Sequence, residues 1–284
     1  RYGKPAGLVE RWGPSFELQG YWDHDDFWAA RGVNEAQAQV STSISFRGNV
    51  SIWGTVQRNF FEFAPTQYEP FYVRDAQGGL EPFRPAQDLF SALYGASFNL
   101  FVNTFERVRG NMRYSWNSTP IFSSGVGMEA GMSRSGNLTL NLYPSRSLQG
   151  EVGLRQTRIT RKADGSEYSS ALIPRMKAQY QFSRSLFVRG IFEYSFQERE
   201  APRDPLTGRA LAYCSDATCD DLSASESHDF YLEGLVSYEP SPGTVFYVGY
   251  SRQMQDLDPQ EFRWGDLRRT AEGLFMKVSY RFRF

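Results

Sequence analysis

Only two histidines occur in the chain, and both stand beside carboxylates: His24 within Asp23-His24-Asp25-Asp26, and His228 directly before Asp229. An imidazole oriented by a carboxylate can activate water, so hydrolytic chemistry would have to sit at these two points. Serine and threonine are plentiful, but none has a base and an orienting acid spaced around it, so no nucleophilic triad follows. Asp23, Asp25 and Asp26 cluster the hard oxygen ligands that Ca²⁺ or Mg²⁺ takes, and Asp216, Asp220, Asp221, Asp256 and Asp258 form a second acidic group. The spacing matches no EF-hand; Ca²⁺ is the one cofactor these residues suggest, and no other is expected. Cys214 and Cys219 share one polar loop. Two thiols without His or further Cys do not complete a tetrahedral metal site, and in an oxidising compartment they are expected to form a disulfide. Gly125, Gly127 and Gly131 lack the GxGxxG spacing of a nucleotide cradle. The glycosylation-like triplets at Asn117 and Asn137 are chance matches.

The elements that must position these residues show a period of two. At the C-terminus Leu274, Met276, Val278, Tyr280, Phe282 and Phe284 fall on one face, and Phe275, Lys277, Ser279, Arg281 and Arg283 on the other. A second clean case sets Val108, Gly110, Met112, Tyr114 and Trp116 against Arg107, Arg109, Asn111, Arg113 and Ser115. Strands polarised in this way separate two solvents. The pattern predicts strands near 14–21, 37–46, 50–61, 92–101, 107–116, 138–142, 148–160, 171–182, 186–197, 230–238, 244–251 and 274–284, with loop and strand edge over 117–135. Connections near 47, 104, 145, 184 and 241 are short and the others long. Short/long alternation predicts an all-β, up-and-down antiparallel transmembrane β-barrel with about twelve strands, its short turns periplasmic and its long loops outside.

Bulk properties are compatible with that fold. A mean hydropathy of −0.50 is what alternating lipid-facing and lumen-facing residues produce once polar loops are added. No run of eighteen apolar residues provides a spanning helix. A net charge of −1 gives no bulk attraction to nucleic acid. The start at Arg1-Tyr2-Gly3-Lys4 has neither a basic nor an apolar leader segment, so residues 1–284 are expected to be a mature product or the C-terminal barrel portion of a longer protein, and twelve strands a lower bound.

Several stretches carry a family resemblance: Gly20-Tyr21-Trp22-Asp23 with Asn34-Glu35, Ser185-Leu186-Phe187-Val188-Arg189, the run from Tyr238 through Tyr250, and the ending from Leu274 to Phe284. Together they resemble a family of bacterial outer-membrane proteins in which a module similar to family 9 carbohydrate-binding domains precedes a C-terminal barrel. The resemblance implies an outer-membrane location and saccharide handling, and assigns no active residue. The ending, with Tyr280, Phe282 and Phe284, is also similar to the signal read by the barrel assembly machinery. Lipid and lipopolysaccharide would be the remaining partners. The acid-flanked histidines resemble the omptin type of outer-membrane protease, so a rim hydrolase stands as an alternative, beside the ordinary reading of solvated loop ends.

The polar faces of the predicted strands are unevenly charged. They carry Arg47, Arg107, Arg109, Arg113, Arg155, Arg175, Lys177, Arg189, Lys277, Arg281 and Arg283 against Glu17, Glu151, Glu193 and Glu233, with the balancing acid expected in the loops. Four carboxylates cannot neutralise eleven cations, so an open lumen should favour anions, acidic saccharides included. The function expected is a passive pore or a membrane anchor linked to saccharide uptake, with a barrel plugged by its own loops as the structural rival.

Overall fold

A computed structural model describes residues 7–30, 32–75, 77–215, 218–256 and 265–281. Asp216, Asp258, Phe282, Arg283 and Phe284, named above, lie outside the described residues. Among the described residues sixteen strands occur in chain order: β1 (Val9–Tyr21), β2 (Glu35–Phe46), β3 (Val50–Glu62), β4 (Phe71–Arg74), β5 (Leu80–Pro82), β6 (Leu89–Val102), β7 (Val108–Ser123) and β8 (Val126–Leu142). They continue as β9 (Leu148–Arg161), β10 (Glu167–Gln181), β11 (Leu186–Arg199), β12 (Leu211–Ser215), β13 (Thr218–Asp221), β14 (Ser225–Ser241), β15 (Thr244–Asp256) and β16 (Leu267–Ser279). A short helix, α1 (His24–Trp28), follows β1.

Twelve of these strands form one antiparallel meander in the order β1-β2-β3-β6-β7-β8-β9-β10-β11-β14-β15-β16, each pairing with the next. The register keeps even-numbered residues together on one face: Leu100 opposes Met112, Met112 opposes Leu138, and Leu138 opposes Leu154. Further along, Val188 opposes Val236, Val236 opposes Val248, and Val248 opposes Met276. This apolar face is exposed at Val40, Val56, Met112, Tyr114, Met176, Val236, Val248 and Met276. The odd-numbered face is polar. Ser41 and Thr55 hydroxyls meet at 2.9 Å and Ser115 and Ser135 at 3.1 Å across neighbouring strands. A one-residue slip would exchange the two faces, so the alternation itself pins the register.

The sheet curls with its odd face inward. β3 and β11 are six places apart in the strand order, about 29 Å measured along a sheet. Yet odd-face residues of both, from Gln57 and Asn59 to Arg199, line one cavity of about 500 Å³. Among the described residues β1 and β16 are not paired with each other, and both edges stay exposed along most of their length.

Three expectations need correction. Residues 117–135, read as loop and strand edge, are the upper ends of β7 and β8, joined only by Ser124 and Gly125. Both have positive φ, 45° and 84°, the mirror-image turn that matches the twist of a hairpin. One outer connection is therefore as tight as the inner ones. The last strand ends at Ser279, so Tyr280 and Arg281 lie beyond it, and its ladder with β15 extends instead toward Leu267. The two longest loops are not irregular. They fold into a second sheet, β13-β12-β4-β5, in which Leu211 opposes Val73 and Tyr213 opposes Phe71.

Candidate functional site

The inward face is where chemistry is concentrated. Of the predicted basic residues, Arg109, Arg113, Arg155, Arg175, Lys177, Arg189 and Lys277 sit on odd positions of wall strands. Arg47 and Arg107 lie in turns at the short-turn end, where the Arg47 side chain donates to the Gly7 carbonyl at 2.7 Å, and Arg281 packs beside Gly243. Two wall cations are answered: Arg175 faces Glu193 at 3.6 Å, and Arg189 donates to Glu233 at 2.8 Å, while Tyr231 donates to the same carboxylate. Glu17 instead accepts from Gln39 at 2.7 Å. The register then joins Arg113 to Arg155 through Asn137, and Arg109 to Glu151 and Lys177 through Asn141. Among the described residues Arg109, Arg113, Arg155, Lys177 and Lys277 make no ion pair, and Arg109 lies over the Tyr143 ring at 5.4 Å. The wall therefore carries a net positive strip centred on β7, β9 and β10.

Above this strip the second sheet spans from one side of the curled sheet to the other. β4 belongs to the connection after β3 and β12 to the connection after β11, the same two strands that face each other across the cavity. Their pairing forms a bridge over the outer mouth. A dry core holds it down: Phe63, Tyr68, Phe71, Val73, Phe83 and Leu211 are buried against Phe90, Leu93, Val126 and Met128 of the wall. The Tyr68 hydroxyl donates to the Gly127 carbonyl at 2.9 Å. Burial, reinforced by the Asp88 carboxylate, pushes the Tyr68 phenol up to about 12, so it stays a donor. Exposed pairs, Arg74 with Asp221 at 2.7 Å and Arg209 with Glu81 at 3.2 Å, join the two loops and add little each. Cys214 and Cys219 are directly opposed across the β12–β13 ladder and form a disulfide at the bridge tip.

A buried ion pair anchors the loop after β11. Arg161 donates through Nε to Glu129 at 2.9 Å, and its remaining nitrogens reach the Ser166 hydroxyl and the carbonyls of Glu167 and Ala201. Both side chains are almost fully buried, and the guanidinium lies over the Tyr168 ring. Nearby, Ser166 and then Arg203 hold the Asp164 carboxyl well below the usual carboxylate range. The predicted strand stopped at Thr160 and so missed Arg161. Continuing the odd series Arg155, Thr157, Ile159 by one step would have found it.

The residues singled out for catalysis and metal binding are not brought together. His24 is exposed on α1 and contacts Asp25 at 3.2 Å. His228, expected in a solvated loop end, is buried on the even face of β14, its ring tilted against that of Phe196 at 4.9 Å between centroids. One of its ring nitrogens is bonded to the Tyr194 hydroxyl at 2.7 Å and the other to Glu226 at 2.8 Å. Asp23 accepts from Asn34 at 2.8 Å. Among the described residues no group of three or more His, Cys, Asp or Glu side chains is arranged to hold a metal ion. Asp256, expected in a loop, is the buried last residue of β15.

No protein-family profile matches the chain, and no curated protein is similar to it. Among solved structures, a NanC porin aligns over 95% of this chain and 99% of its own at 10% identity, with a TM-score of 0.32. OmpT, an outer-membrane protein of Vibrio cholerae, aligns in its trimer form over 95% of this chain and 96% of its own at 9% identity, with a TM-score of 0.37. Likeness this loose carries no argument, and the architecture rests on the twelve-stranded antiparallel sheet itself.

Proposed function

We propose that this chain is the wall of a bacterial outer-membrane β-barrel that passes small anionic solutes and serves as the membrane part of a saccharide-handling protein. The observation that carries the reading is the contrast between the two faces of the meander. Large apolar side chains stand exposed on the even face from Val40 to Met276, while the odd face is polar and net basic. In water such a surface would exceed the apolar patches that soluble proteins expose. Against lipid it is the expected outer wall, and the polar face becomes a lumen. Lipid and lipopolysaccharide are then the partners of the even face. The reading is of a non-enzyme.

Planar-bilayer recordings of the refolded full-length protein test it. We expect an ohmic conductance and, in a KCl gradient, a reversal potential on the anion side that moves toward zero in the double variant Arg109→Glu with Arg113→Glu. High salt should weaken the preference, because the screening length falls to about 3 Å at 1 M. Preference for cations in the unmodified protein would sink the reading. A plugged structural barrel is the second reading, favoured by the dry-cored bridge over the mouth; it predicts electrical silence.

A further inference from the structure

We infer that the cavity of about 500 Å³ beneath the bridge is a binding site for an acidic saccharide, a hydroxyl-rich ring carrying one carboxylate. The inference rests on the reading of the odd face as a lumen and goes on to name what that lumen selects. Below the cavity the wall is basic, but the cavity itself is lined by amides: Gln57 and Asn59 from β3, and Asn117 from β7. These strands are not neighbours, since β6 runs between them. At that point β6 has Gly95, where a Cβ would collide with the Asn117 side-chain oxygen and come within 3.0 Å of Gln57 Cγ. Glycine is what lets the two amides meet over the strand and form one continuous donor and acceptor surface.

A further feature points to a ligand. From the facing wall Arg199 lines the same cavity and makes no ion pair among the described residues. Amides answer ring hydroxyls in both directions, because each offers donors and an acceptor. A single guanidinium matches a single carboxylate in a two-pronged contact. Polyphosphates would call for more than one cation, and a neutral sugar would leave Arg199 unused. The ring of Phe61 adds an apolar edge, and its stacking on Phe63, 6.4 Å between centroids, continues into the dry core of the bridge above. The cavity therefore lies between the bridge and the basic strip, on the path of an entering anion.

Isothermal titration of the refolded full-length protein in detergent micelles, with glucuronate and glucose as probes, tests the site. Glucuronate should bind, and glucose should bind at least about tenfold more weakly, the worth of one charge-assisted hydrogen bond. Arg199→Gln should bring glucuronate down to the level of glucose, and Asn59→Ala with Asn117→Ala should weaken both, with far-ultraviolet dichroism confirming the fold. Absence of glucuronate binding, equal binding of the two probes, or unchanged binding in Arg199→Gln would each overturn the inference. Micelle binding needs no ion flow, so conductance without binding removes the site and leaves the pore. Binding by a barrel that does not conduct supports the site and removes the pore.

Discussion

Tyr68 shows how much a single side chain can carry here. It is 2% exposed and donates a hydrogen bond to the Gly127 carbonyl, joining the loop after β3 to the first residues of β8. Because its pKa is raised to about 12, the contribution of the neutral phenol is complete below the ordinary tyrosine range near 10 and is lost only as pH climbs through about 12. Proteolytic nicking of the bridge should therefore be unchanged from neutral pH to about 10 and rise steeply above that. Loosening at a lower pH would show that the phenol is not the anchor. Tyr68→Phe leaves the Gly127 carbonyl without this donor and should cost about 1–3 kcal/mol of local stability, read from hydrogen exchange at the bridge amides.

At the scale of one element, β7 separates the two environments most sharply. Met112 is exposed between Leu100 and Leu138, whereas Asn111 points to the other side between Phe101 and Thr139. Arg in place of Met112 should destabilise folding into lipid vesicles by about 2–4 kcal/mol, measured by denaturant titration, because a charge is placed against hydrocarbon. Asn111→Gln should be nearly neutral. Equal costs at the two positions would mean that no lipid lies against the even face. The same strand also shows where alternation misleads. Above Trp116 the series Asn117, Thr119 and Ile121 still alternates, but Pro120 and the dense Ser, Thr and Gly content resemble a loop.

For the whole molecule the open edges are decisive. Among the described residues β1 and β16 each have a partner on one side only. Unpaired backbone groups cost several kcal/mol each in hydrocarbon, so neither edge can remain bare in a bilayer. The described strands do not pair these edges with each other, and inward residues of β1 such as Glu17 and Gln19 are exposed. We expect further strands to complete the wall. In the full-length protein, Phe16→Cys with Met276→Cys should then give no oxidative crosslink between the two edges. A high-yield crosslink in membranes would instead establish a closed barrel of twelve strands.

What the amino-acid sequence determined by itself is the part governed by local covalent geometry. Successive side chains of a strand point to opposite faces, so Leu274, Met276 and Val278 against Lys277 and Ser279 announces both the strand and its two solvents with no knowledge of its neighbours. The twelve-strand meander and the disulfide were legible for the same reason, since adjacent strands and nearby cysteines are close along the chain. The tertiary structure alone decided the bridge. Phe71 and Val73 meet Tyr213 and Leu211 across a long separation in sequence, and strands of four and five residues are too short for a period to declare itself. It also decided the burial of Arg161 with Glu129, and of His228 on the outward face. Whether a charge is solvated or enclosed depends on which loop folds back over it, and that is set by packing between segments that spacing along the chain does not relate.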